Sequence, residues 1–140
     1  MTDQSIHPAA QANMDSIRLM MAKDKAGWLD LYADDAIVSD PVGKSPFDLE
    51  GKGHIGKAAI EQFWDTVIAP SNAKLTAGLR CPSGDRTCAV PMTAVNDLGD
   101  GNVITINMVA IYQLNDAGKI ASMKAYWDWS EMEAQLAQLS

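Results

Sequence analysis

Asn102-Val103-Ile104-Thr105-Ile106-Asn107-Met108-Val109-Ala110-Ile111-Tyr112-Gln113-Leu114 alternates with a period of two, the mark of a half-buried strand. Successive strand side chains point to opposite faces, so Ile104, Ile106, Met108, Ala110, Tyr112 and Leu114 share one side. The same period recurs over residues 74–80, 87–95 and 119–129. Turns at Pro82-Ser83-Gly84, Gly99-Asp100-Gly101 and Asn115-Asp116-Ala117-Gly118 join these segments. Three short connections in a row predict an antiparallel meander. In its last strand Ala121, Met123, Ala125, Trp127 and Trp129 fall on one face.

Upstream, the apolar period lengthens to that of a helix. Met14, Ile17, Met20 and Met21 predict an amphipathic helix over 10–23, with Pro8 where a first-turn proline is tolerated. Asp24 is placed to cap a second, short helix carrying Trp28, Leu29, Leu31 and Tyr32 and ending at Asp34-Asp35. A strand over 36–39 then runs into Asp40-Pro41, and residues 43–55, rich in Gly, Pro and Lys, read as loop. Ile60, Phe63, Trp64, Val67 and Ile68 form a buried helix face stopped by Pro70. Ser130, with Glu133 three residues on, is a capping-box signature for a final turn over 131–138. Helices followed by an antiparallel sheet make an α+β domain spanning 1–140 around an apolar interior. Several of the eight methionines fall on inward faces, where a flexible thioether suits either core or an adaptable pocket.

Charge and spacing remove several function classes. The 11 basic and 18 acidic side chains give a net charge of −7, and the basic ones are scattered, which speaks against nucleic-acid binding. No apolar run approaches the ~20 residues that span a bilayer. The first residues lack the basic and apolar regions of a signal peptide, so a cytoplasmic protein with Cys81 and Cys88 as reduced thiols is expected. Gly51-Lys52-Gly53-His54-Ile55-Gly56 imitates a dinucleotide loop, and residues 51–57 the start of a P-loop, but no parallel strand precedes them and Ala58 stands where Ser or Thr would hold magnesium. Two histidines, His7 and His54, and no closely spaced Cys pair give no metal-ligand pattern.

Asp40 is the foremost chemical candidate. It ends an apolar strand, shares the parity of Ala36 and Val38, and precedes a proline that fixes the backbone as the chain leaves the sheet. Asp-Pro also opens ordinary turns. The functional alternative is a carboxylate at the mouth of an apolar pocket, with a pKa raised by desolvation so that it takes a proton from carbon.

The stretch Tyr32-Ala33-Asp34-Asp35-Ala36-Ile37-Val38-Ser39-Asp40-Pro41-Val42-Gly43 closely resembles the ketosteroid isomerases of the nuclear transport factor 2-like (SnoaL-like) superfamily. The likeness continues through residues 56–64 and 115–125 and covers nearly all of 14–130, with one insertion around 44–54. It implies a cone-shaped α+β barrel, three N-terminal helices packed on a curved antiparallel sheet around an apolar pocket, usually paired as a homodimer. It also implies that Asp40 is a general base moving a proton between two carbons of an enolisable ketone, with no cofactor. In the family a tyrosine and a protonated aspartic acid stabilise the dienolate. Ungapped counting puts Ser16 and Ala110 at those positions, and loss of one such donor typically costs 10²- to 10³-fold.

The resemblance thus predicts a pocket walled by Met20, Trp64, Met108, Ala110, Tyr112 and Trp127, with Ser16, Tyr32 and His54 as possible hydrogen-bond donors. Such a cavity suits a bulky steroid-like or aromatic ketone. Isomerisation is the leading expectation. Lyase, dehydratase, cyclase or epoxide-opening chemistry on the same Asp40, and non-catalytic carriage of a hydrophobic ligand, are the alternatives.

Overall fold

The computed structural model describes residues 6–139. Most of the amino-terminal stretch read for a signal sequence, residues 1–5, lies outside the described residues. The elements are α1 (Pro8–Met21), α2 (Lys25–Asp30), β1 (Tyr32–Ser39), β2 (His54–Ile55), α3 (Lys57–Phe63) continued by a π-turn (Trp64–Ile68), β3 (Ala73–Ala77), β4 (Cys81–Ser83), β5 (Thr87–Gly99), β6 (Asn102–Leu114), β7 (Ile120–Tyr126) and α4 (Trp129–Leu136). The sheet runs β2-β1-β7-β6-β5-β3, with β4 also on β5. It is an α+β fold with a curled sheet, as expected, but the sheet stays open, because β2 and β3 remain edges.

The alternation over 102–114 is realised in β6. Ile104, Ile106, Ala110, Tyr112 and Leu114 are buried and their neighbours Val103, Thr105, Asn107 and Val109 exposed. β5 and β7 flank β6 as the predicted meander. The ladder is not purely antiparallel: β1 lies parallel to β7, pairing Val38 with Met123 and Ser39 with Lys124. This long-range pair brings the end of β1 beside the end of β7, where the candidate site forms.

Four local expectations are corrected. α2 stops at Asp30, not at Asp34-Asp35, and Tyr32 opens β1; the pairing with β7 shifts register between Tyr32 and Ile37, and Asp34 and Asp35 in that stretch are exposed, which hides the strand's alternation. The buried face of α1 is Ala9, Ala10, Ala12, Asn13, Ser16 and Leu19, whereas its methionines lie beside it, and Met20 and Met21 face a cavity. His54 and Ile55 form a short strand, since Gly53 sits at φ +88° with Ile37 and Ser39 so near that any Cβ would clash. The N–H groups of Gly51 and Gly53 donate to the Asp48 carboxylate at 3.0 and 2.7 Å, so a side chain of the protein fills this glycine loop. The last strand stops at Tyr126, and Asp128 caps α4 in place of Ser130, accepting from the Ser130 N–H at 2.9 Å.

One cluster of buried side chains ties helices to sheet. Trp28, Tyr32, Ile60, Trp64, Val90 and Ile120 are among its members. α4 has no buried residue. It is held by the Gln135 amide, which accepts from Thr105 N–H at 2.8 Å and donates to Thr105 C=O at 2.7 Å. β7 pairs with β6 only from Val109 onward, so the β6 edge before Val109, at Thr105, is open to Gln135. No helix among the described residues is long and apolar enough to cross a membrane.

Candidate active site

Two adjoining chambers open between the helices and the concave face of the sheet. The inner one, about 40 Å³, is lined by Ser16, Tyr32, Asp40 and Tyr112 among apolar residues such as Trp28, Met92 and Met123. The outer one, about 260 Å³, is mainly apolar, with Phe47, Val67, Ile104, Ile106, Trp127 and Met132 in its wall. Met20, Asp40, Phe63, Ile68, Leu75 and Met108 line both. Together the chambers sit at the lower end of the roughly 300–1,000 Å³ found for small-molecule sites.

Asp40, the residue after β1, is the one acidic side chain in either wall. The residue is partly accessible and borders both chambers. Burial raises its pKa to about 6, against the opposing effect of the Trp127 indole N–H, which donates to Asp40 Oδ1 at 2.6 Å. A carboxylate with a pKa near 6 is largely ionised at neutral pH and a stronger base than a solvated aspartate. Trp127→Phe removes the hydrogen bond that favours the anion, so the Asp40 pKa should climb above about 6. The acid limb of the pH–rate profile should then move to higher pH, which a titration of both proteins will measure.

The inner chamber gathers hydroxyls around this carboxylate. Tyr32 Oη is buried and has no hydrogen-bond partner among the described residues. Burial first, and then nearby Tyr112 and Asp40, push its pKa well up, opposed by Ser16, so it stays a protonated donor. Tyr112 is raised too, chiefly by burial, against Ser16 and Asn13. The Ser16 hydroxyl accepts from Trp28 Nε1 at 3.1 Å and donates to Met20 Sδ at 3.6 Å. Sulfur is a weak acceptor, so this O–H can turn to a ligand oxygen at small cost.

The structure brings together Asp40, Ser16, Tyr32, Met20, Met108, Tyr112 and Trp127. It does not add Trp64, Ala110 or His54. Trp64 is buried in the core with its ring 5.1 Å from Trp28. Ala110 is fully buried opposite Ala125 in the sheet, beyond the chamber walls. His54 stacks on Phe63 at 4.7 Å, outside both linings, with Nε2 buried and unpartnered among the described residues; burial lowers its pKa, opposed by Asp48. Missed by sequence reasoning were Tyr112 as a donor, the Trp127–Asp40 hydrogen bond, and the mouth residues Lys23, Phe47, Asn96 and Met132. Inward parity had marked Tyr112; nothing local marks Phe47 or Asn96. No cluster of three His, Cys, Asp or Glu able to hold a metal occurs among the described residues.

The family model of the SnoaL-like domain matches residues 15–123, most of the chain. This protein belongs to the SnoaL-like domain family. The SnoaL-like chain is 29% identical over 102 residues to a steroid Delta-isomerase of Nocardioides simplex, covering 73% of this chain and 75% of that relative. Its structure is similar to RV0760c from Mycobacterium tuberculosis, with a TM-score of 0.86, 34% identity and coverage of 92% of this chain and 97% of that one. RV0760c is also known in complex with estradiol-17beta-hemisuccinate. The Delta 5-3-ketosteroid isomerase from Mycobacterium sp. is 33% identical to this SnoaL-like chain, with a TM-score of 0.83 and coverage of 90% and 97%.

Proposed function

We propose that this SnoaL-like protein is a cofactor-free isomerase that moves a proton within a bulky hydrophobic ketone, with Asp40 as general base. The observation that carries the reading is one desolvated carboxylate beside an unpartnered buried hydroxyl, Tyr32 Oη, in a small chamber at the end of a larger apolar one. The relatives named as steroid isomerases and the steroid held by RV0760c support the substrate class.

The chemistry follows from the two chambers. The apolar body of the ketone fills the outer chamber and its carbonyl enters the inner one, which has room for about one oxygen-sized group. Asp40 removes a proton from the carbon α to the carbonyl, and charge develops on the carbonyl oxygen. Tyr32, Tyr112 and Ser16 donate to that oxygen in place of the family's pair, whose positions hold Ser16 and Ala110. Protonated Asp40 then returns the proton to the far end of the conjugated system.

The test is conversion of a Δ5-3-ketosteroid to its conjugated isomer, followed by enone absorbance. Turnover that needs Asp40 upholds the reading, and no turnover at any pH between 5 and 9 overturns it. Tyr32→Phe should lower kcat about tenfold, less than the 10²- to 10³-fold typical of a sole donor, because Tyr112 and Ser16 remain. Burst or steady-state kinetics of the variant read this directly. The Ser16 and Ala110 positions also favour a second reading, elimination or ring-opening on the same Asp40, which needs a base but less oxyanion charge. Turnover of β-hydroxy ketones or epoxides without steroid isomerisation would select it.

The same reading pairs two copies through the sheet, whose outward face exposes Val95, Val103, Val109 and Tyr126. Sedimentation equilibrium at micromolar concentration should then give twice the monomer mass.

A further inference from the structure

The mouth of the outer chamber has a chemistry that catalysis at Asp40 does not use. Lys23, Ser71 and Asn96 all line it, and Lys23 is absent from the inner chamber. Lys23 ends the α1 turn at φ 58°, a left-handed conformation normally given to glycine, yet the chain places a long cation there. Its Nζ donates to the carbonyls of Ile68 and Ser71 at 2.7 and 2.6 Å. It has no carboxylate partner among the described residues. An ammonium has three donors, and two are committed to neutral acceptors.

The neighbouring Ser71 and Asn96 side chains each accept one backbone N–H and keep their own donors. Ser71 Oγ accepts from Ala73 N–H at 3.0 Å, which leaves its O–H to donate. Asn96 Oδ1 accepts from Asn72 N–H at 3.1 Å, and its NH₂ remains a donor. The rim therefore offers one fixed positive charge and two neutral donors, and the sole acid of the outer wall, Asp40, is shared with the inner chamber. In a protein of net charge −7 a locally cationic rim with donors available at Ser71 and Asn96 favours an anion with several acceptor atoms.

We propose that Lys23, Ser71 and Asn96 form a carboxylate-recognition subsite, so that the preferred ligand is an apolar ketone bearing a carboxylate on the end that does not enter the inner chamber. This rests on the ligand-binding reading above and names the substrate class more closely. Selectivity comes from a partly exposed charge pair, so it is a matter of about three- to tenfold in affinity.

The test compares two probes that differ only in charge, 3-oxo-4-androstene-17β-carboxylic acid and its methyl ester, binding measured by calorimetry at low and high salt. The wild-type protein should bind the acid three- to tenfold more tightly, with the preference shrinking as salt rises. Lys23→Met should bring the ratio of the two affinities to about one, and Lys23→Arg should restore it. A merely structural lysine would weaken both probes equally and leave the ratio unchanged, which overturns the proposal. Binding of the ester with no preference for the acid in the wild type also overturns it, and leaves the cavity reading standing. If neither probe binds, the cavity reading itself falls and the subsite falls with it.

Discussion

Asp40→Asn is expected to lower kcat/KM for ketosteroid isomerisation by about 10³-fold, within the 10²- to 10⁴-fold that positioned acid–base groups contribute. The amide keeps a side-chain oxygen to accept from Trp127 Nε1, so the chamber's shape should survive while the base is lost. The same substitution should make the protein more stable at neutral pH. Burial raises the Asp40 pKa in the folded state from 3.8 to about 6, so the native protein binds this proton more tightly than the unfolded chain does. The cost of the buried charge is absent below about pH 4, grows between about pH 4 and 6, and is complete above that, where it amounts to at most about 3 kcal/mol. Solvent in the chambers reduces this. Thermal melts of both proteins at pH 4 and pH 7.5 should therefore coincide at the lower pH and separate at the higher, with the variant melting later. A variant both inactive and less stable at neutral pH would mean that Asp40 is a structural turn residue.

Trp28→Ala should cost about 3–5 kcal/mol, the range for deleting a large buried aromatic. Trp28 is 1% exposed. Its ring lies 4.8 Å from Tyr32 and 5.1 Å from Trp64. For a domain of this size that is a fall in Tm of roughly 10–20 °C, readable by circular dichroism. The same deletion removes the indole N–H that donates to Ser16 and opens space beside Tyr32, so it should disturb the inner chamber as well. Trp28→Phe separates the effects, keeping much of the apolar area while losing the hydrogen bond, at about 1 kcal/mol. If both variants cost the same, packing against Tyr32 and Trp64 is not what holds the helices to the sheet.

Particular residues show how far the sequence could be read. The inward set of β6 was legible because alternation is a property of extended backbone and needs no knowledge of partners. Asp40 was legible as a residue at the chamber because strand parity and the following proline are local, and the resemblance supplied the role proposed for it. Trp64 was misplaced because a helical stripe shows that a residue faces inward, not whether it meets core or cavity. His54 was misplaced because its strand is two residues long and is fixed by Gly53 fitting against Ile37 and Ser39, a contact no period encodes.

The sequence by itself thus determined the order of helices and sheet, the inward face of the meander and the place of Asp40, the proposed base, at the end of β1, all of which follow from short-range geometry. Only the tertiary structure decided what surrounds that base. The parallel pairing of β1 with β7 sets Trp127 against Asp40 across 87 positions of chain, and Tyr32, paired with Ile120 at the start of β1, lines the same inner chamber. The turn after α1 carries Lys23 to the carbonyls of Ile68 and Ser71. These contacts join residues whose local patterns are independent of one another. Burial makes them matter, since a carboxylate's basicity and a hydroxyl's freedom to donate are fixed by neighbours that solvent would otherwise replace.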